Sequence, residues 1–271
     1  MEAARGLLCR GRSPLGGAGI LDGVNDDVAA AATPAQRVPP AVILAAGLGS
    51  RLAAASAGLP KALAPVLGKP LLAYTLEALA KAGVHEAHVV VGHRGAEIQA
   101  AIGDLPYDHL ITHFCRNPHF RLRNASSLAA ARNAIAGRPF LLLMADHLLS
   151  VEAIRRMLAA EHGFAIGVDR GPLPQSRLAD ATRVRLGADG LVAAFGKRLR
   201  RWHAIDAGIF RCQPAVFAAI DALGIDSEIS AIMTRVAATH PFHAVDLTGA
   251  FWLDVDTPAD LAEAEALLRH G

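Results

Sequence analysis

From Ala41 onward, apolar residues gather into short, nearly continuous runs separated by longer stretches in which they recur at helical spacing. The runs are Val42 to Ala46, Ala87 to Val91, Phe140 to Ala145 and Phe164 to Val168. Each is too short for a stable helix and lacks the alternation of a strand with one wet face. They predict strands of a sheet buried on both sides. Between them, Leu71 to Ala82, Gly95 to Ile102, Ser126 to Ile135 and Val151 to Ala160 carry helical spacing. The first of these stops at Gly83, a residue suited to the position just past a helix end. His109 to Thr112 reads as one more strand. Strand and helix in alternation predict a mainly parallel sheet with helices on both faces.

Past Asp169 the rhythm changes. Arg183 to Leu186 and Leu191 to Phe195 flank Gly187-Ala188-Asp189-Gly190, which reads as a hairpin turn. Ala204 to Arg211 follows as a strand, then helices at Pro214 to Leu223 and Ser227 to Ala238, then strands at His243 to Leu247 and Phe251 to Val255. Thr257-Pro258, with Asp260 in the next turn, marks the start of a last helix. Residues 1–38 show no period. Pro39-Pro40 closes them, so they are expected to form a disordered extension, with an ordered domain over residues 39–271.

Composition narrows the class. The chain of 271 residues is 52% hydrophobic and only 5% aromatic, so much of its core is built from small side chains. A net charge of +2 does not suit a nucleic-acid surface. The one dense basic run, Lys197-Arg198-Leu199-Arg200-Arg201, reads either as a solvated loop or as a partner site. Cys9, Cys115 and Cys212 are odd in number and widely spaced, which argues for a reducing compartment and against a zinc motif. No apolar stretch reaches the roughly 20 residues that span a bilayer. The expected location is the cytoplasm.

Candidate chemistry starts where the first strand ends. Leu44-Ala45-Ala46-Gly47 runs into Leu48-Gly49-Ser50-Arg51, and after eight mostly small residues comes Pro60-Lys61. A strand ending in a Gly-rich loop offers backbone N–H groups to an anion, and Arg51 and Lys61 add fixed charge. A polyphosphate is the natural guest, although a plain strand-to-helix turn has the same appearance. The loop lacks the Lys-Ser/Thr of a Walker motif. It also lacks the third glycine of a dinucleotide fold, because position 52 is Leu. Asp146 emerges from a strand end, where a carboxylate needs solvent, a partner or a metal. Asp254 and Asp256 alternate on one strand, so both can supply a second carboxylate to Mg²⁺, which takes one or two carboxylates plus phosphate oxygens. Asp256 serves equally to organise the helix start. Asn124 reads both as a helix cap and as a contact to a pyrimidine edge. His93 and His147 stand alone at strand ends and read first as local hydrogen-bonding groups. In an open α/β sheet ligands bind beyond the carboxyl ends of the strands, where the Gly-rich loop, Asp146 and Asp254 all fall.

These segments resemble the nucleoside-triphosphate transferase superfamily, which includes the sugar-1-phosphate nucleotidylyltransferases. The resemblance runs from Ala41 to the end. It rests on the loop Val42 to Arg51 with Pro60-Lys61, on Met144 to Ser150, on Gly196-Lys197, on Ile205 to Phe210 and on Trp252 to Pro258. Within the superfamily the chain is most similar to the inositol-1-phosphate cytidylyltransferases. The supporting details are His147 directly after Asp146, Asn124 with Ser126-Ser127-Leu128, and the pair Asp254 and Asp256 followed by Thr257. The resemblance implies a three-layer α/β/α, Rossmann-like fold with a mixed, mainly parallel sheet and a small β-rich insertion on the acceptor side.

It also implies a reaction: the phosphate of a small phosphorylated alcohol attacks the α-phosphate of an NTP and releases pyrophosphate. CTP and inositol 1-phosphate are the implied substrates. The nucleophile is already ionised, so positioning and charge neutralisation carry the catalysis and no general base is required. Arg51 and Lys61 are implied to hold the triphosphate, and Asp146 with Asp254 or Asp256 the Mg²⁺. Lys197 is implied to hold the acceptor phosphate. Leu44, Ala45, Ala46, Gly47, Gly49, Ser50, Asn124, Ser126 and Ser127 are implied to surround the nucleotide. Asp206, Thr182 and Asp169 are candidates for the acceptor hydroxyls. In some organisms the inositol enzyme is fused to a membrane-bound synthase. No such segment follows here, so a separate synthase is the expected consumer of the product. Three rival readings remain: transfer to a sugar 1-phosphate or phosphocholine, a non-catalytic regulatory subunit of the same fold, and a dinucleotide oxidoreductase. The retained Arg51, Lys61, Asp146, Lys197 and Asp254 speak against the second. The missing third glycine and Gly92-His93 after the second strand speak against the third.

Overall fold

In a computed structural model the described residues are 38–47, 49, 52, 58–103, 105–107, 109–172 and 174–270. The expected N-terminal extension lies outside them apart from Val38, as do Ser50 and Arg51. The chain enters through β1 (Ala41–Ala45) and a 3-10 turn, Lys61–Leu63, and then a short hairpin of β2 (Pro65–Val66) and β3 (Lys69–Pro70). Next come α1 (Leu71–Lys81), β4 (Glu86–Val91), α2 (Gly95–Ile102), β5 (Ile111–Arg116), α3 (Ala125–Ala130), α4 (Arg132–Ile135) and β6 (Phe140–Met144). After β7 (His147–Leu149) the chain forms α5 (Val151–Ala159), β8 (Phe164–Asp169), α6 (Gln175–Asp180), β9 (Arg183–Leu186), β10 (Val192–Gly196) and β11 (Ala204–Cys212). It closes with α7 (Val216–Leu223), α8 (Ile229–Ala237), β12 (Phe242–Asp246), β13 (Trp252–Asp254) and α9 (Pro258–His270).

The main sheet is mixed. Strands β5, β4, β1 and β6 lie side by side and parallel. The long β11 then runs antiparallel to β6, β8 and β9, while β12 pairs parallel with β8. Alternate residues of the central strands feed two separate cores, which makes three layers. Ala41, Ile43 and Ala45 of β1 join Leu141 and Leu143 of β6 on the face covered by α1, α2 and α5. Val42 joins Phe140 and Leu142 on the face covered by α3, α7 and α8. A third, smaller core of Leu52, Ala64, Val66, Leu71, Leu148, Leu253, Val255 and Ala264 sits where β7 and β13 meet α9. It matters most for function, because Leu52, Leu148, Leu253 and Val255 each lie within two positions of a candidate site residue and Ala264 lies on the helix behind.

Several boundaries differ from the sequence reading. The strand expected at His109 to Thr112 runs instead from Ile111 to Arg116, since His109 turns the chain at φ +44° and β5 then pairs with β4 from Ile111↔Glu86 onward. The helix expected from Ser126 to Ile135 breaks at Ala131. The strand expected over Phe251 to Val255 shortens to three residues, so Asp256 leaves its ladder and no longer shares a strand face with Asp254. Strand β7 escaped the sequence reading because three residues carry no period; it pairs antiparallel with β13 and sets Asp254 opposite His147. The Gly187–Gly190 hairpin forms as read, with Gly187 N–H donating to Leu191 O at 2.8 Å. The last helix also starts as read: Thr257 N–H and Oγ donate to Asp260 Oδ2 at 2.7 and 2.8 Å. Ser150 caps α5 by accepting from Ala153 N–H.

Candidate active site

The site gathers at the carboxyl ends of β1 and β6. Ala45 and Ala46 are buried at the end of β1, with Leu44 half-buried before them, and the chain turns outward at the exposed Gly47. Gly49 adopts φ +61°, and a Cβ there would stand 2.6 Å from the Cβ of Lys61. Only glycine lets the loop close onto the Lys61 turn. Pro60 O accepts from Leu63 N–H at 2.8 Å and folds that turn, so Lys61 points from a short rigid segment into the site.

Lys61 Nζ donates to Asp146 Oδ2 at 2.7 Å and also to Asp256 Oδ1. Residues 85 and 195 positions away in the chain thus converge on one ammonium group. Its side chain is only 15% exposed. Burial opposes its charge, but Asp146 and Asp256 together hold its pKa above the ordinary lysine value. Asp146 presents its other oxygen, Oδ1, to His147 Nδ1 at 2.8 Å. Desolvation works against this carboxylate, yet Lys61 and His147 keep it well below the usual range.

His147 faces more carboxylates than an isolated local hydrogen bond requires. Besides Asp146, Asp254 Oδ1 lies 3.9 Å from its Nδ1. Burial opposes the imidazolium, but Asp254, Asp146 and Asp206 raise its pKa to about 9. The ring lies nearly parallel to Trp252, 10° between planes, and Trp252 Nε1 donates to Asp169 Oδ2 at 2.8 Å. On β11, Gly208 adopts φ +78° inside a register irregularity, and a Cβ there would fall 2.1 Å from His147 Cδ2. Gly208 N–H donates to Asp206 Oδ1 at 2.7 Å. Desolvation foremost, with Asp254 adding to it, raises Asp206 to about 6.

Asp146, His147 and Asp254 offer ligand atoms that all lie within 4.8 Å of one another. Asp254 Oδ1 is buried and has no hydrogen-bond partner, and desolvation with the Asp146 and Asp256 charges raises this carboxyl to about 6. An orphaned carboxylate oxygen among like charges is what a divalent cation would relieve. The donor set of two carboxylates therefore fits a hard cation.

The other expected site residues have partners of their own. Lys197 pairs with Asp180 at 2.6 Å, both about half exposed. Asn124 does not cap α3; its Oδ1 accepts from Ile229 N–H at 2.8 Å and so caps α8 instead. Ser126 and Ser127 are buried and accept from Asn117 Nδ2 at 3.0 and 3.1 Å. Thr182 uses its carbonyl, which accepts from Asp206 N–H. Both oxygens of Asp169 are taken, by Trp252 and by Gly171 N–H. Ser50 and Arg51 lie outside the described residues. Sequence reading carried Gly208 and Trp252 only inside the segments Ile205 to Phe210 and Trp252 to Pro258, with no role of their own, and read His147 first as a local hydrogen-bonding group; the direct Asp146-His147 sequence was the available signal.

Comparison with known proteins gives the family and the fold. The chain is 38% identical over 232 residues to a bifunctional IPC transferase and DIPP synthase of Rubrobacter xylanophilus, covering 84% of this chain and 51% of that one. It is 34% identical to a protein of the same description from Thermococcus kodakarensis, again covering 84% of this chain and 50% of the relative. The chain therefore spans about half the length of these relatives. The solved structure of an inositol-1-phosphate CTP transferase from T. maritima superposes with a TM-score of 0.73, 22% identity and coverage of 86% and 97%, which shows a shared fold. Among the described residues, no helix is long and apolar enough to cross a membrane. The family model for the MobA-like NTP transferase domain matches residues 41–245, and the chain belongs to that family.

Proposed function

We propose that the protein transfers a cytidylyl group from CTP to inositol 1-phosphate and releases pyrophosphate. The observation that carries this reading is the convergence of Asp146 and Asp256 on Lys61, beside the Asp146, His147 and Asp254 group, at the end of a strand that runs into a Gly-rich loop. The choice of substrates is supported by the description of the relatives matched above as bifunctional IPC transferases and DIPP synthases.

In this reading the loop from Gly47 to Arg51 receives the triphosphate. Lys61, kept charged by its two carboxylates, moves onto phosphate oxygens when the nucleotide enters. Asp146 and Asp254 would hold Mg²⁺, which supplies charge neutralisation at the reacting phosphates. His147 carries a positive charge into the same space and fixes the spacing of the two carboxylates. Lys197 exchanges Asp180 for the acceptor phosphate, which its exposed ion pair permits. Asp206 is placed to accept from an acceptor hydroxyl, and Asn124 with the buried Ser126 and Ser127 shapes the base side. A synthase that consumes the product remains the proposed downstream partner.

The test is a matrix of four NTPs against several alcohol phosphates with Mg²⁺, scored by pyrophosphate release. CTP with inositol 1-phosphate gives the highest kcat/KM. A preference for UTP or dTTP with glucose 1-phosphate overturns the substrate choice, and silence across the matrix overturns the enzymatic reading.

A further inference from the structure

The basic run that the sequence left open between solvated loop and partner site joins β10 to β11, and the proposed chemistry uses only its first residue. Arg198, Arg200, Arg201 and Trp202 are all exposed, Trp202 by 38%. Lys197 is paired with Asp180, but among the described residues no carboxylate meets the guanidinium of Arg198, Arg200 or Arg201. The loop is nevertheless well fixed at its base. Arg183 Nη1 donates to Leu199 O at 3.0 Å, and Leu186 N–H donates to His203 Nδ1 at 3.0 Å. Arg183 also lies over the Trp202 ring, 5.9 Å from its centroid, and the exposed Arg185 shares its strand face. A chain of net charge +2 thus concentrates unpaired cations and one exposed indole on a single anchored loop.

We propose that this loop docks the protein on the surface of a bilayer containing anionic phospholipid. Trp202 sits at the headgroup level, and Arg198, Arg200 and Arg201 contact lipid phosphates. Indole rings favour the membrane interface, and each cation close to an anionic leaflet strengthens binding about fivefold. The same residues suit a nucleic acid poorly. Strand binding relies on several rings to stack successive bases, and here there is one, with Arg183 already over it. Base reading relies on Asn and Gln besides Arg, and residues 183–203 contain neither. Docking of this kind needs no spanning helix, and the proposal does not depend on which substrates the enzyme takes.

The test uses the full chain with vesicles of phosphatidylcholine alone or mixed with phosphatidylglycerol. The protein co-sediments with the mixed vesicles at low salt and is released at high salt. The triple variant Arg198→Glu, Arg200→Glu, Arg201→Glu binds at least about a hundredfold more weakly. A second readout needs no charge reversal. The chain has two tryptophans, and Trp252 is buried. Brominated phosphatidylglycerol therefore quenches Trp202 emission in the unaltered chain, and Trp202→Phe abolishes the quenching. No co-sedimentation at low salt, no quenching, full binding by the triple variant, or tighter binding to single-stranded RNA than to vesicles would each overturn the proposal.

Discussion

The parallel strands carry charged residues at both ends, and the two ends settle them in opposite ways. At the amino ends, Arg138 just before β6 grips Glu86 at the start of β4 with two hydrogen bonds, 2.6 and 2.8 Å, spanning the entry of β1. Glu86 also meets His88 at 2.8 Å, and Arg138 Nε donates to Ile135 O. The Glu86 and Arg138 charges there meet each other, while the buried His88 Nδ1 has no hydrogen-bond partner. At the carboxyl ends, Asp146, Asp206, Asp254 and Asp256 surround Lys61 and His147, so among the described residues four carboxylates face two cations. Asp206 and Asp254 are raised to about 6, and Asp254 Oδ1 has no hydrogen-bond partner. Charges balanced within the chain contribute to stability. Carboxylates crowded on rigid elements, with one buried oxygen left without a hydrogen bond, have the pattern of a functional site rather than of a stabilising one.

The strongest way to break this contrast is at the carboxyl end. Asp146→Asn and Lys61→Ala are each expected to lower kcat/KM for pyrophosphate release by at least about a thousandfold. Asp254→Asn, at the carboxyl that desolvation and its like-charged neighbours raise, relieves that crowding, so its unfolding free energy stays within about 2 kcal/mol of the unaltered chain. Turnover near the unaltered rate in Asp146→Asn or Lys61→Ala removes these residues from the site. A large loss of stability in Asp254→Asn would show instead that the carboxylate cluster holds the fold together.

The carboxyl-end half of this contrast could be read from sequence, for a physical reason. Fully buried strands such as Val42 to Ala46 and Phe140 to Ala145 announce themselves by continuous apolar runs, and the first polar residue after each marks its carboxyl end. That is how the Gly-rich loop, Lys61, Asp146 and Asp254 came into view together. What stayed hidden depends on contacts without period. Strand β7 is three residues long, yet it brings His147 opposite Asp254. Asn124 precedes its own helix but caps another one 105 positions further along the chain. Gly208 sits mid-strand, and nothing local reveals that a histidine ring from another strand rests against it.

That glycine allows a finer cut. Gly83 and Gly208 both have positive φ, +92° and +78°, so alanine costs each about 1 kcal/mol or more in backbone strain. They differ in surroundings: a Cβ at Gly83 meets nothing within 4 Å, whereas at Gly208 it strikes the His147 ring. Gly208→Ala is expected to displace His147, spread Asp146 and Asp254, and lower kcat about a hundredfold, because a misplacement near 1 Å suffices for that loss. Gly83→Ala is expected to lose comparable backbone stability with turnover intact. Equal turnover in the two variants would mean that the position of His147 does not matter to the reaction.

The smallest effect tests the amino end. Glu86 and Arg138 are 29% and 44% exposed, so solvent screening limits their pair to about 1 kcal/mol. Arg138→Ala is expected to lose about that much stability and no turnover. Its pH dependence gives the signature. The Arg138 hydrogen bond foremost, aided by His88, holds the Glu86 carboxyl down at about 2 against an ordinary value of 4.5. A carboxylate depressed in the folded state stabilises it fully above the ordinary value, and that contribution fades as pH falls toward the folded value, because the unfolded chain takes up the proton first. The stability gap between the unaltered chain and Arg138→Ala should therefore be constant near neutrality and close between about pH 4.5 and about pH 2. Denaturant titrations of both chains across that range measure it directly. A gap that persists at the acid end assigns the Arg138 contribution to packing rather than charge. A loss of turnover in Arg138→Ala would show that the two ends of the strands do not divide their work.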